Sequence, residues 1–263
     1  MKILDREIPL RSVPRKVVEI LTMGFRSAKF KNPYFLWKSF LYRESPPKNR
    51  FDLRDGSKIM LSDNPHDAIT VMVIYCKLEY GGIEPGSTVI DIGANIGVFT
   101  LFAASSGASK IFSFEPNSAA FSTLSKNIEI NEFGSVVHAF KLAVGARNNE
   151  IVYLPFASSP YNKSIKESDG TGALEPARTI SLEQIIEENE IDEVSYLKLD
   201  CEGAEYEIFM NCPAEVFSRI RRIRMELHYS SDHSREELID VLVRNGFSVV
   251  KRVDLIVWLD RQT

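Results

Sequence analysis

The sequence predicts an α/β fold built on a mostly parallel sheet with helices on both faces. Three observations predict it. From residue 87 onward, strand-length apolar runs alternate with helix-period segments. The two closing runs, FSVVKRV and LIVWLD, are separated by only a residue or two around Asp254, too few for a crossover, so that pair must be antiparallel. Carboxylates and glycines collect where the predicted strands end, which is the edge where such sheets bind ligands.

Taken in order, RFDLRDGSKIMLS (50–62) reads as a hairpin, with Asp55-Gly56 supplying the positive-φ residues of a tight turn. Residues 63–86 predict a helix that starts after Asn64-Pro65 and is closed by Gly81-Gly82. Strand TVIDIG then feeds helix VFTLFAASSG, and strand KIFSFEP feeds helix SAAFSTLSKNIEINEFG. VVHAFKLAV reads as one strand, followed by the short apolar run EIVYLPF. The polar segment 157–178, rich in Ser, Gly and Pro, is expected to be a lid loop. Helix SLEQIIEENEI, strand SYLKLD, helix GAEYEIFMNC, strand RIRMELHY and helix SREELIDVLVRNG lead to the closing pair. Three parts follow: an arm over 1–50, a hairpin and helix over 51–86, and the main domain over 87–263.

The chain has 263 residues, 44% of them hydrophobic, enough for one sizeable core. No apolar run approaches the roughly 20 residues of a membrane span, and the N-terminus has no apolar leader. Cys76, Cys201 and Cys212 form no CxxC pair, so a reducing, cytoplasmic setting is expected. The net charge of −4 is unevenly spread. Residues 11–50 hold ten Lys and Arg against Glu19 and Glu44, a net +8, interleaved with seven aromatics. Such a segment can dock on anionic headgroups or nucleic acid, or its aromatics can pack on the main domain while its charges are solvated.

Four short stretches carry chemistry. In DIGANIG, Asp91 ends a strand, Gly93 turns the backbone, and Asn95 and Gly97 open a helix whose amides favour an anion. The glycines stand four apart behind an acid, which suits an amino-acid moiety better than the pyrophosphate that GxGxxG cradles. In SFEPN, Glu115 ends the next strand 24 residues after Asp91, where a carboxylate can take both hydroxyls of a ribose. Asp200, Glu202 and Glu205 crowd the end of YLKLD, a costly arrangement unless a cation, a metal or a hydroxylated substrate joins them. In RMELH, Glu226 and His228 lie two apart and face one way in a strand, which makes His228 a candidate general base.

Together and in this order, VIDIGANIGVFT, FEPN, LKLDCEGAEYEI and MELH resemble the FkbM-type family of S-adenosylmethionine-dependent methyltransferases. The resemblance covers about residues 60–250 and implies a Rossmann-like class I methyltransferase fold with seven strands, the last antiparallel. It implies that Asp91, Gly93, Ala94, Asn95 and Gly97 surround the methionine part of the cofactor, with Asp200 beside it. Glu115 would hold the ribose, and Pro116, Asn117 and the backbone near Ala143 the adenine. His228, Asp200 or Glu202 could take the acceptor's proton, while Glu205 and Glu226 hold its hydroxyls. No metal is expected, although Asp200 and Glu226 are the pair that could hold a divalent ion. The Asn/Asp-Pro-Pro-Tyr-like motif that N6-adenine and glutamine methyltransferases carry after the fourth strand is replaced here by LDCEG, which favours an oxygen acceptor on a sugar, glycan or other small molecule. Nucleic acid is not expected as a partner, and the basic arm leaves room for peripheral membrane contact. The alternatives are an NAD-dependent oxidoreductase, disfavoured by the missing GxGxxG, and a non-catalytic nucleoside-binding protein acting through its arm.

Overall fold

The computed structural model describes residues 2–3, 6–7, 13–155 and 174–262. Two compact units divide the chain, Met1–Glu79 and Tyr80–Thr263, and the division falls inside the span 51–86 set apart in the sequence.

In the first unit, β1 (Lys2–Ile3) pairs antiparallel with β2 (Arg6–Glu7). Helices α1 (Val13–Ser27) and α2 (Pro33–Tyr42) follow, the latter with Pro in its first turn, where a missing N–H costs nothing. Strands β3 (Arg50–Asp52) and β4 (Lys58–Met60) form the expected hairpin, with Gly56 at φ 100° in the turn. Buried Phe30 meets the rings of Phe51 and Tyr75 edge-on at 5.9 and 5.6 Å. Phe30 of the arm is therefore core of the first unit itself, packed on the hairpin and the π turn and not on the main domain. Helix α3 (His66–Met72) continues through a π turn, Val73–Lys77. It stops at Leu78, which adopts a left-handed φ of 52°, before the expected Gly81-Gly82.

The second unit carries a seven-stranded sheet. Its strands are β5 (Thr88–Ile92), β6 (Lys110–Phe114), β7 (Val137–Phe140), β11 (Tyr196–Leu199), β12 (Arg222–Glu226), β13 (Phe247–Val253) and β14 (Ile256–Arg261). They lie in the order β13-β14-β12-β11-β5-β6-β7, and β14 runs against both of its neighbours while every other pair is parallel. The chain winds outward from β5 in one direction and from β11 in the other. The switch point therefore lies between the carboxyl ends of β5 and β11.

Side chains alternate across the strands, so each strand serves two faces. Ile90, Ile92, Phe112, Phe114, Leu197 and Leu199 join one core with residues of α6 (Leu182–Glu188), α7 (Glu205–Met210), α8 (Ala214–Ser218) and α9 (Arg235–Arg244). On the opposite face, α4 (Val98–Ser105) sets Phe99 against Tyr196 at 5.8 Å and Thr100 against Asp91. Helix α5 (Ser118–Ile130) starts at Asn117, whose Oδ1 accepts from the amides of Ala119 and Ala120. Helices on both faces of a mostly parallel sheet are what the sequence predicted.

Two expectations are corrected. VVHAFKLAV is not one strand. After β7 the chain leaves the main sheet, and β8 (Ala143–Gly145) pairs parallel with β10 (Leu174–Ser181), which pairs antiparallel with β9 (Ile151–Pro155) in a separate three-stranded sheet. The supposed lid 157–178 falls mostly outside the described residues, and its end, from Leu174, is strand. Ala177 and Thr179 alternate inward there, and Glu175 is buried against Lys141 and the Ser118 amide.

The glycines of DIGANIG are needed by the protein's own packing. Gly93 (φ 73°) lies so close to the Asp200 carbonyl oxygen that any Cβ would overlap it, whereas a Cβ on Gly97 (φ 87°) would meet Leu124 Cδ1 at 2.5 Å. Leu124 is a side chain that can shift; the Asp200 carbonyl is main chain. Gly97→Ala is therefore expected to destabilise by about 1–3 kcal/mol, from positive φ and overpacking, and Gly93→Ala by more. Urea unfolding of the two variants checks the ranking, and equal losses would contradict it.

Candidate active site

One polar row crosses the sheet at the switch point. Register places Arg224, Lys198, Asp91 and Ser113 side by side on successive strands. Lys198 and Asp91 are almost fully buried, and their charged atoms meet at 3.1 Å. Lys198 Nζ also donates to the Gly93 carbonyl at 2.7 Å. Thr100 Oγ1 donates to Asp91 at 2.7 Å and lies 2.8 Å from Ser113 Oγ, which must then be the donor to Thr100. Burial opposes the charge of Lys198, but Asp91 and then Asp200 hold its pKa above the usual lysine value. Asp91 therefore turns its carboxylate into the sheet, not toward the ligand edge as expected.

The loop after β5 is similarly committed to the protein. The amides of Gly93 and Ala94 both donate to the Phe114 carbonyl at 3.0 Å, so they are not the open anion cradle that the glycine spacing suggested. Asn95, at φ 51°, gives its amide to Glu115 at 2.7 Å and leaves its side chain exposed. The other oxygen of Glu115 accepts the Asn117 amide at 2.8 Å. Burial pushes the Glu115 carboxyl up to about 7, against the pull of those two amides and Lys198. Asn117 is buried, and its Nδ2 has no hydrogen-bond partner among the described residues. Ala143, expected at the adenine, sits instead on β8 opposite Thr179, because the chain has left the main sheet.

Across the switch point, Asp200 follows β11 and accepts from the Tyr80 hydroxyl at 3.0 Å. Strand β12 ends at Glu226, so His228 lies just beyond it and not within a strand as expected; the Leu227 amide still holds the chain to Leu255. His228 Nδ1 lies 3.0 Å from Glu205 Oε1, and Nε2 lies 3.5 Å from Glu202 and 3.8 Å from Glu226. Burial would lower the pKa of His228. The hydrogen bond and charge of Glu205, with the charges of Asp200 and Glu202, outweigh it and push the imidazole up to about 9. Glu205 is wholly buried and also takes the Cys201 amide, so it holds the histidine and is not presented to a substrate as expected. Asp200, Glu226 and His228 each offer a ligand atom within 4.8 Å of the others, and a divalent ion would find its donors there. An open cavity of about 450 Å³ follows in the chain, lined by Tyr206, Tyr229, Ser230, His233 and Arg235 among others.

The structure thus brings together Asp200, Glu202, Glu205, Glu226 and His228, and separately Asn95, Glu115, Pro116 and Asn117. Sequence reasoning missed Lys198, Tyr80 and Thr100. Lys198 had a signal, since a lysine in the otherwise apolar run SYLKL must find a buried partner.

The methyltransferase FkbM domain matches residues 91–249, from Asp91 near the end of β5 into β13. The chain is 24% identical over 208 residues to the 31-O-demethyl-FK506 methyltransferase FkbM of Streptomyces tacrolimicus, covering 68% of this chain and 80% of that protein. It is 24% identical over 149 residues to the hexuronic acid methyltransferase AglP of Haloferax volcanii, covering 57% of this chain and 59% of that one. The crystal structure of a methyltransferase FkbM from Methylobacillus flagellatus overlays with a TM-score of 0.46 at 12% identity, over 87% of this chain and 59% of that chain. A chain whose switch point, acid-ended strands and antiparallel β14 all lie in or beside the matched span belongs to the FkbM methyltransferase domain family.

Proposed function

We propose that this chain is an S-adenosylmethionine-dependent methyltransferase that methylates a hydroxyl oxygen of a sugar, glycan or other small polyol. The observation that carries the reading is the pairing of His228 with buried Glu205 at the carboxyl ends of β11 and β12. A carboxylate on Nδ1 fixes the ring and leaves Nε2 facing the rim, the arrangement of an oriented general base. The acceptor hydroxyl would give its proton to Nε2, while Asp200, Glu202 and Glu226 accept from neighbouring hydroxyls. Three carboxylates at one rim suit a neutral or cationic acceptor and repel an anionic one. A uronic acid, the substrate class named for AglP, therefore fits this rim poorly.

Glu115 and Asn117 fit the nucleoside of the cofactor. Two carboxylate oxygens suit two ribose hydroxyls, and the partnerless Asn117 Nδ2 suits a ring nitrogen of adenine. The bound cofactor supplies an electrophilic methyl on a sulfonium, and the protein's share is alignment and exclusion of water. Lys198 and Asp91 hold the intervening loop in place and touch neither ligand.

Two predictions follow from these groups. Ribose hydroxyls both donate, so cofactor binding requires ionised Glu115. Calorimetric affinity for S-adenosylhomocysteine should be flat above about pH 7 and weaken toward tenfold per unit below it. Glu115→Gln should weaken binding about ten- to hundredfold and flatten that pH dependence; an unchanged affinity removes Glu115 from the site.

His228 must be neutral to accept a proton, so turnover at saturating substrates should rise with pH and level off above about 9. His228→Ala should lower turnover about 10²–10⁴-fold with cofactor affinity near normal. Glu205→Gln removes the charge that raises the imidazole, so the midpoint of the profile should move down. Full turnover in His228→Ala would overturn the base assignment. Activity lost in EDTA and restored by magnesium would transfer the role to an ion at Asp200, Glu226 and His228.

A further inference from the structure

Helix α1 is amphipathic in an unusual sense. Its inner side buries Met23 and Ser27, and its outer side is apolar as well. Val17, Leu21 and Phe25 stand four apart, one above another, with Val18 and Ile20 flanking them. All five are exposed, Leu21 at 67% and Phe25 at 84%. The helix's single acid, Glu19, falls outside this stripe by the 100° step of the helix. Tyr34, Leu41 and Tyr42 of α2 are exposed as well. Exposed Lys16, Lys29, Lys31, Arg43 and Lys48 belong to the same span, 11–50, with its net charge of +8. Contiguous exposed apolar residues beside basic ones mark a docking surface and not a solvated one.

We infer that the first unit docks on an anionic lipid surface, with the Val17–Leu21–Phe25 stripe entering the headgroup layer and the lysines meeting lipid charge. Two alternatives fit less well. A second copy would bring one +8 segment against another. A nucleic acid would meet the basic residues through its phosphates and leave the apolar stripe in water. A single strand would stack on rings, where four of the five stripe residues are aliphatic. No helix among the described residues is long and apolar enough to cross a membrane, so the contact would be peripheral. This is a property of residues 13–48 and holds whatever the second unit methylates.

The test is co-sedimentation of the full chain with vesicles of phosphatidylglycerol and phosphatidylcholine in equal parts, and with phosphatidylcholine alone. Binding to the anionic vesicles is expected at low salt, falling about tenfold or more in 1 M salt or on neutral vesicles. The double variant Leu21→Asp, Phe25→Asp should lose a similar factor. Both side chains are exposed, so its thermal melting should match the parent and exclude misfolding as the cause. Three results would overturn the inference: no pelleting with anionic vesicles, equal pelleting of the double variant, or salt-sensitive capture by a single-stranded oligonucleotide without vesicle binding. A dimer in light scattering that the double variant dissolves, with no vesicle binding, would assign the stripe to self-association instead.

Discussion

The site depends on one buried ion pair, Lys198 with Asp91. The two residues sit side by side in register on β11 and β5, the strands that flank the switch point. Taking two charges out of water is expensive, and their attraction offsets it only when the remaining donors and acceptors are also satisfied. Here Thr100 serves Asp91, and the Gly93 carbonyl serves Lys198. That second bond matters most for function. It ties a charge on β11 to the loop after β5, while the Asp200 amide ties the end of β11 to the Ile92 carbonyl. The two loops that form the ligand edge are thus fastened to each other from beneath. Gly93 is required because this fastening leaves no space for a Cβ.

That constraint explains which parts of the molecule were legible in the sequence. The sheet, its antiparallel β14 and most helices could be read because period-2 and period-3.6 patterns report burial directly. The acids at the strand ends were also legible, since topology puts strand ends at one edge. Direction was not. A carboxylate at the end of a strand can face the ligand or the interior, and the choice at Asp91 is made by Lys198, which is 107 residues away. Glycine spacing has the same ambiguity: close approach to a ligand and close approach to the Asp200 carbonyl leave one signature. Glu205 was read as substrate-facing because nothing local shows that His228, 23 residues later, returns to pair with it. The break in VVHAFKLAV was not legible because the run has no Gly or Pro to mark it, and the departure of Ala143 to pair with β10 is a tertiary choice.

With Asp91 and Lys198 neutralising each other below the surface, the charge presented at the edge is set by two separate groups. On one side is Glu115, a lone buried carboxylate held by two amides and pushed up to about 7. On the other is His228 among Glu205, Asp200 and Glu202, pushed up to about 9. Environments that move two titratable groups in the same direction for opposite reasons, burial in one case and carboxylates in the other, suit two different tasks. On the proposed reading, the first binds the cofactor once ionised and the second accepts a proton once neutral.

On the proposed reading, these settings have a consequence for the order of events. Between about pH 7 and 9 the cofactor side is charged and ready, while the histidine is still held as its cation by its carboxylates. An acceptor that donates hydroxyls to Asp200 and Glu202 competes with His228 for exactly those charges, because a carboxylate that accepts a hydrogen bond pulls less on a neighbouring cation. The relief is partial, because the hydrogen bond and charge of Glu205 are the larger causes of the raised pKa and stay in place when an acceptor binds. Glu205 cannot be relieved in this way, since it is wholly buried and already bonded to the ring and to the Cys201 amide. On that reading it keeps the imidazole oriented and is the main reason it stays charged, while the outer carboxylates, which solvent and acceptor can both reach, add to that charge. A fixed inner carboxylate that orients the ring, with outer ones open to hydroxyls, is the division of labour that the proposed oxygen acceptor calls for.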